Sequence, residues 1–227
     1  MTRARRAGAR SAGGRQTDAD RSKAVARPGS AAAGASGRRE LRIVGGRLRG
    51  RKLICSDDLR TRPMKDRVRE AVFNLIGDDV TGAWAFDLFA GTGALGIEAI
   101  SRGCRGAVFL EQHFPTAALV RQSAADLGIA ELCEVLAADT LLWARRPRGL
   151  PSDCPWLVFC SPPYALYVDR PVEVLGLIAG LLAAAPARSV LVVEADARFD
   201  LATLPAPEEW QIRTYPPAVI AIYRKRP

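Results

Sequence analysis

Residues 87–96 read Asp87-Leu88-Phe89-Ala90-Gly91-Thr92-Gly93-Ala94-Leu95-Gly96, and the fold turns on this stretch. Glycines in G-x-G-x-x-G spacing join an apolar run, Trp84–Phe89, to a helical pattern at 94–102. Such glycines let the backbone approach a ligand closely, and the start of a helix offers it N–H donors. The spacing also describes dinucleotide sites. Asp87 shifts the balance. A carboxylate at the end of the strand repels a phosphate and attracts an ammonium. S-adenosylmethionine carries an ammonium and no phosphate. It is therefore the expected cofactor, held at Asp87, Phe89, Ala90, Gly91, Thr92, Gly93 and Gly96.

Working outward, Glu111 ends the next apolar run, 20 residues past Gly91. A carboxylate there can accept from both ribose hydroxyls, a feature shared by nicotinamide and S-adenosylmethionine sites. Asp139 follows the third run and has two open readings, acceptor for the adenine amino group or helix N-cap. The pattern predicts strands at Trp84–Phe89, Ala107–Glu111, Cys133–Ala138, Trp156–Cys160 and Ser189–Glu194. Helices are predicted at 94–102, after the Ala107–Glu111 strand through about Leu127, and at Arg170–Ala185. Gln211–Tyr215 and Ala218–Arg224 pair around Pro216-Pro217. Short apolar strands alternating with helices predict an α/β fold, Rossmann-like, with a mainly parallel seven-stranded sheet and a C-terminal antiparallel hairpin. Ligands of such sheets sit at the carboxyl ends of the strands.

Ser161-Pro162-Pro163-Tyr164 follows the fourth strand and faces the same crevice. Consecutive prolines fix the backbone and aim the carbonyls before them. An exocyclic base amine is a poor nucleophile, because its lone pair is delocalised into the ring. Accepting its N–H bonds at Ser161 and at the Pro162 carbonyl makes the nitrogen more tetrahedral, while Tyr164 stacks on the base. The expected catalytic loop is therefore Ser161, Pro162, Pro163 and Tyr164, acting by positioning and with no metal. Other residues draw plainer expectations. His113 reads as surface, Cys160 as core, and the four tryptophans as packing. Glu194 ends a strand at the same sheet edge, with substrate contact and a structural role both open.

The chain has 227 residues and a formal net charge of +9. Residues 1–40 carry +7, residues 41–80 carry +4 and residues 81–227 carry −2. A basic arm beside a near-neutral domain points to a polyanion, nucleic acid first. Residues 1–38 hold almost no large apolar side chain and are expected to be a disordered basic tail. Residues 39–80 are expected to form a basic hairpin and a helix that dock RNA, with 81–227 as the catalytic domain. Arg47–Ile54 reads as a resumed alternating strand, and a helix begins at Thr61-Arg62-Pro63. Arg42, Arg47, Arg49, Arg51, Lys52, Arg62, Lys65, Arg67 and Arg69 are the expected phosphate contacts. Five cysteines without C-x-x-C spacing and a single His argue against a disulfide framework and a zinc site. The longest uncharged apolar stretch has 14 residues, too short to span a bilayer. These features predict a cytoplasmic monomer with no membrane partner.

Together these residues resemble the RsmD family, bacterial enzymes that methylate a guanine N2 in 16S ribosomal RNA. The resemblance runs from Arg42-Ile-Val-Gly-Gly-Arg-Leu-Arg-Gly-Arg-Lys-Leu53, through Asp66-Arg-Val-Arg-Glu-Ala-Val-Phe-Asn74 and residues 87–99, to Glu111 and the Pro-Pro-Tyr loop. It implies a methyltransferase fold, S-adenosylmethionine as donor and assembled small-subunit RNA as substrate. Three positions depart from the family pattern. Ser161 stands where the family usually has Asp, Met64-Lys65 replace small hydroxyl residues, and Tyr215-Pro216-Pro217 replaces Tyr-Gly. Ser-Pro-Pro-Tyr also resembles the loop of cytosine-N4 DNA methyltransferases. The alternatives are a DNA adenine-N6 or cytosine-N4 methyltransferase, and a catalytically inactive RNA-binding assembly factor.

Overall fold

The computed structural model describes residues 41–55, 64–147 and 150–226. In chain order the elements are β1 (Leu41–Arg42), β2 (Lys52–Leu53), α1 (Asp66–Ile76), β3 (Trp84–Asp87) and α2 (Ala94–Ser101). They continue with β4 (Gly106–Leu110), α3 (Phe114–Asp126), β5 (Cys133–Leu136), α4 (Thr140–Trp143) and β6 (Trp156–Cys160). The last are α5 (Ala165–Asp169), α6 (Pro171–Ala184), β7 (Val190–Asp196), β8 (Gln211–Tyr215) and β9 (Ala218–Arg224).

Seven strands form one sheet in the order β5-β4-β3-β6-β7-β9-β8. The first five are parallel, and β9 and β8 are antiparallel. Every residue of β4 and β6 is buried, because helices cover both faces of the sheet. Val72 of α1, Ile97 of α2 and Val120 of α3 share one apolar cluster with Phe109 and Phe159. Val174 and Ile178 of α6 share another with Phe86 and Val158 on the opposite face. β3 and β6 are neighbours whose following helices diverge to opposite faces. That reversal opens a crevice at their carboxyl ends.

The ribbon before α1 is less regular than its alternation suggests. Among the described residues only Leu41–Arg42 and Lys52–Leu53 pair there as strands, and Gly46–Leu48 form a 3-10 turn. Tertiary contacts override the strand pattern. The Leu48 N–H donates to Ser101 Oγ at 2.9 Å, and that hydroxyl donates to the Gly45 carbonyl at 2.6 Å. Gly46 has φ +71°, and a Cβ there would lie 2.0 Å from the Ser101 carbonyl oxygen. The tail at 1–38, Arg62 and the expected helix start at Thr61–Pro63 lie outside the described residues. Met64 and Lys65 are not helical, and α1 begins at Asp66.

Arg69 corrects one expectation. It does not face solvent among the phosphate contacts; it is fully buried. It pairs with Asp66 at 3.0 Å and with fully buried Glu98 at 3.7 Å, and it donates to the carbonyls of Arg42 and Met64. Glu98 in turn accepts the Val44 N–H at 2.8 Å and pairs with Arg102 at 2.8 Å. A buried carboxylate requires paired cations, and Arg69 is spent locking the ribbon and α1 onto α2.

Candidate active site

At the switch point the carboxyl ends of β3, β4, β6 and β7 surround a cleft of about 700 Å³. That volume lies within the range of small-molecule sites. Asp87, Glu111, Asp139 and the 161–164 loop all line it. So do Phe89, Ala90, Gly91 and Thr92. The strand registers explain the gathering. Asp87 pairs with both Phe109 and Phe159, so β3, β4 and β6 end nearly level. Cys160 pairs with Val193, so Ser161 and Glu194 leave adjacent parallel strands one step later, at the same height.

Asp87 is buried and accepts the Gly96 N–H at 3.0 Å. Burial raises its pKa from 3.8 to about 7, with a smaller push from Glu111, and the Gly96 bond opposes both. No cation pairs with it among the described residues. An ammonium entering the cleft would supply the missing counter-charge, so the donor set fits S-adenosylmethionine. Glu111 holds the loop from the next strand. Its two carboxylate oxygens accept the Gly91 N–H at 2.9 Å and the His113 N–H at 2.7 Å. Each oxygen keeps a second lone pair for a ligand hydroxyl. Asp139 is the N-cap of α4, with Oδ1 accepting from Leu141 and Leu142. Its Oδ2 lies 3.8 Å from Arg170, and both residues line the cleft. The capping role is therefore realised through Oδ1, while Oδ2 is left to Arg170.

The glycines divide by task. Gly91 has φ +52° and lines the cleft. Gly93 and Gly96 do not line it. A Cβ on Gly96 would meet the Phe109 ring at 2.3 Å, and one on Gly93 would meet Val120 at 2.8 Å. These two glycines let α2 seat closely against β4 and α3, a packing demand that the motif spacing alone does not show.

In the 161–164 loop, Pro162 is buried, Pro163 is exposed and Tyr164 lies between these extremes. The Tyr164 hydroxyl donates to Glu194 Oε1 at 3.0 Å. Ser161 Oγ is shielded from solvent and makes no hydrogen bond among the described residues. It stands close enough to Glu194 to draw that carboxyl's pKa down, as Tyr164 also does, although burial is the larger influence and raises it. Glu194, left open by the sequence, is thus a wall of the cleft. His113, expected at the surface, also lines it, and its ring Nδ1 lies 2.8 Å from Thr116 Oγ1. Two of the departures from the family pattern, Met64-Lys65 and Tyr215-Pro216-Pro217, meet at the same cleft. Their sequence separation concealed this.

Arg47, Arg49, Arg51, Lys52, Lys65, Arg67 and Arg42 are exposed. Lys65 lines the cleft, and Arg51 donates to the Asp126 carbonyl at 3.0 Å. The ribbon therefore presents a cationic surface that reaches the mouth of the site through Lys65.

A mainly parallel sheet with a terminal hairpin, and carboxylates gathered round a glycine loop at its switch point, define a Rossmann-like methyltransferase fold. The chain belongs to the RsmD family: the family described as Conserved hypothetical protein 95 matches residues 41–223. The chain is 32% identical over 191 residues to Ribosomal RNA small subunit methyltransferase D of Escherichia coli strain K12, covering 83% of this chain and 90% of that one. The solved structure of Escherichia coli yhhF is similar with a TM-score of 0.68 and 29% identity, covering 82% of this chain and 98% of that one. A Thermus thermophilus 16S rRNA N2 methyltransferase, solved with AdoMet and guanosine, shares the fold at a TM-score of 0.60 and 17% identity. That match covers 82% of this chain and 50% of the other.

Proposed function

We propose that this chain transfers a methyl group from S-adenosylmethionine to the N2 amine of a guanine in small-subunit ribosomal RNA. One observation carries the reading: Asp87, Glu111 and the Ser161–Tyr164 loop, 77 residues apart at their extremes by number, line a single cleft. The family and the similarity to an rRNA methyltransferase support the substrate class. When bound, S-adenosylmethionine supplies an electrophilic methyl group. Asp87 holds its ammonium, Glu111 accepts from its ribose, and Asp139 Oδ2 accepts from its adenine amine.

Ser161 and the Pro162 carbonyl accept the N–H bonds of the target amine. Tyr164 stacks on the base, steadied by Glu194. Holding the amine in line with the methyl converts a bimolecular encounter into an oriented one, which is the main catalytic contribution. The ribbon cations and Lys65 hold RNA phosphates beside the cleft, so residues 39–80 serve docking and 81–227 serve chemistry. The substrate is the assembled or assembling subunit in the cytoplasm, and the protein works as a monomer without a metal or membrane partner.

The deciding experiment incubates purified protein and labelled donor with small subunits lacking methylated guanine and, in parallel, with unmethylated DNA, then maps modified nucleosides by mass. Label in N2-methylguanine is the expected result. Label in DNA adenine or cytosine instead would replace this reading with a DNA amino-methyltransferase. Donor binding with no transfer to either would leave an assembly factor.

A further inference from the structure

We infer that Glu194 completes the catalytic loop as a proton-accepting partner of Ser161, the two together doing the work of a single carboxylate. The inference rests on the proposed amino-methyl transfer and deepens it. Three observations converge. Ser161 and Glu194 emerge at one level from neighbouring parallel strands, since Cys160 and Val193 are paired. Ser161 Oγ is sealed from solvent and meets no other partner at full hydrogen-bond geometry, and Glu194 stands near enough for the hydroxyl to favour its ionised form. Glu194 lines the same cleft and is fixed by the Tyr164 hydroxyl at 3.0 Å, while the Tyr167 hydroxyl donates to its backbone carbonyl at 2.8 Å.

A hydroxyl can orient an amine but cannot keep the proton that the amine must lose. As the N–C bond forms, the electron pair of the breaking C–S bond stays on the donor's sulfur, and the nitrogen becomes positive. Its surplus proton passes to Ser161 Oγ while the Ser161 proton passes to Glu194. The products are the methylated amine, a neutral thioether, an unchanged serine and a protonated Glu194, which then yields its proton to water. No further co-reactant is needed.

The groups facing Glu194 suit this task. Ser161 and Tyr164 approach its carboxyl and Tyr167 its carbonyl, and Asp196 lies farther along its strand. No cation pairs with Glu194 among the described residues. Burial lifts its pKa above the ordinary glutamate range, towards a group able to hold a proton transiently.

The test has a readout independent of turnover. The Glu194 carboxyl is followed by infrared difference spectroscopy across pH, with Glu194→Gln to assign the band. Ser161→Ala removes a hydroxyl that stabilises the carboxylate, so the Glu194 titration should move upward. In single-turnover methylation of small subunits, Glu194→Gln should slow transfer by roughly a hundredfold. It should leave donor affinity within about twofold and remove the acidic limb of the pH–rate profile. Ser161→Asp should make Glu194 largely dispensable, so that Ser161→Asp/Glu194→Gln is close to Ser161→Asp in rate. Tyr164→Phe should slow transfer without removing the acidic limb. An unmoved titration in Ser161→Ala, or an equal Glu194→Gln loss with Ser and Asp at 161, would overturn the relay while leaving the methyltransferase reading intact. Absence of methylation by the unmodified protein would overturn both.

Discussion

The Asp87 carboxylate reaches back from the end of β3 to accept the Gly96 N–H of α2 at 3.0 Å, tying the start of the glycine loop to the helix that follows it. The bond engages Oδ2 of a residue that lines the cleft and confines the charge to a site where burial resists it.

Stability should therefore fall as pH rises through the acid range. Asp87 has a folded pKa of about 7 against an ordinary 3.8, so the folded chain binds the proton more tightly. Its contribution is complete below about pH 4 and is lost as pH climbs to about 7. Asp87→Asn should flatten this decline. Denaturant midpoints near pH 5 and near pH 8 measure it, and an equal slope in both proteins would refute the assignment.

Donor binding should show the opposite trend. The ammonium of S-adenosylmethionine favours ionised Asp87, so binding releases a proton and affinity rises between about pH 6 and about pH 7.5. Calorimetry in buffers of different ionisation enthalpy would detect that proton. Asp87→Asn should weaken binding by about 1.5–3 kcal/mol, the scale of a charged hydrogen bond, and abolish the proton release.

Arg69→Met should destabilise the fold rather than RNA binding. It leaves fully buried Glu98 with one fewer cation, and breaking such a pair typically costs about 3–5 kcal/mol. Urea unfolding checks the first half. The salt dependence of RNA affinity checks the second, and a reduced salt slope with wild-type stability would return Arg69 to the RNA surface.

Arg47→Ala and Arg49→Ala should do the reverse. Both side chains are exposed on the ribbon, so stability should change by less than about 0.5 kcal/mol. Each phosphate contact removed should reduce the slope of log affinity against log salt by about 1. Unchanged slopes in both variants would move the RNA interface elsewhere.

Gly96→Ala should cost stability although Ala is the better helix former. The added methyl would lie 2.3 Å from the buried Phe109 ring, and overpacking of this kind costs about 1–3 kcal/mol. A melting temperature equal to wild type would mean that Phe109 can shift aside.

Much of this protein is local enough to be legible in the chain. The 156–160 strand and both strands of the terminal hairpin fall where the sequence pattern predicts, α2 and α6 lie within a residue or two of expectation, and α3 ends within a residue of it. Periodicity is a property of neighbouring residues and needs no partner to be seen. Asp87, Glu111 and the Ser-Pro-Pro-Tyr loop were legible for a related reason, since each follows a strand whose end must lie at the ligand edge of a parallel sheet. The partners of a side chain are not local. Arg69 sits three residues from Asp66 on a basic surface stretch, and it is buried because Glu98, 29 positions away, is fully buried beside it. Gly96 matches a ligand motif, yet the Phe109 ring of another strand is what demands it. Glu194 looked like any carboxylate ending a strand. The register of β6 against β7 placed it beside Ser161, because a strand's neighbours are chosen by the topology of the whole sheet and not by its own residues.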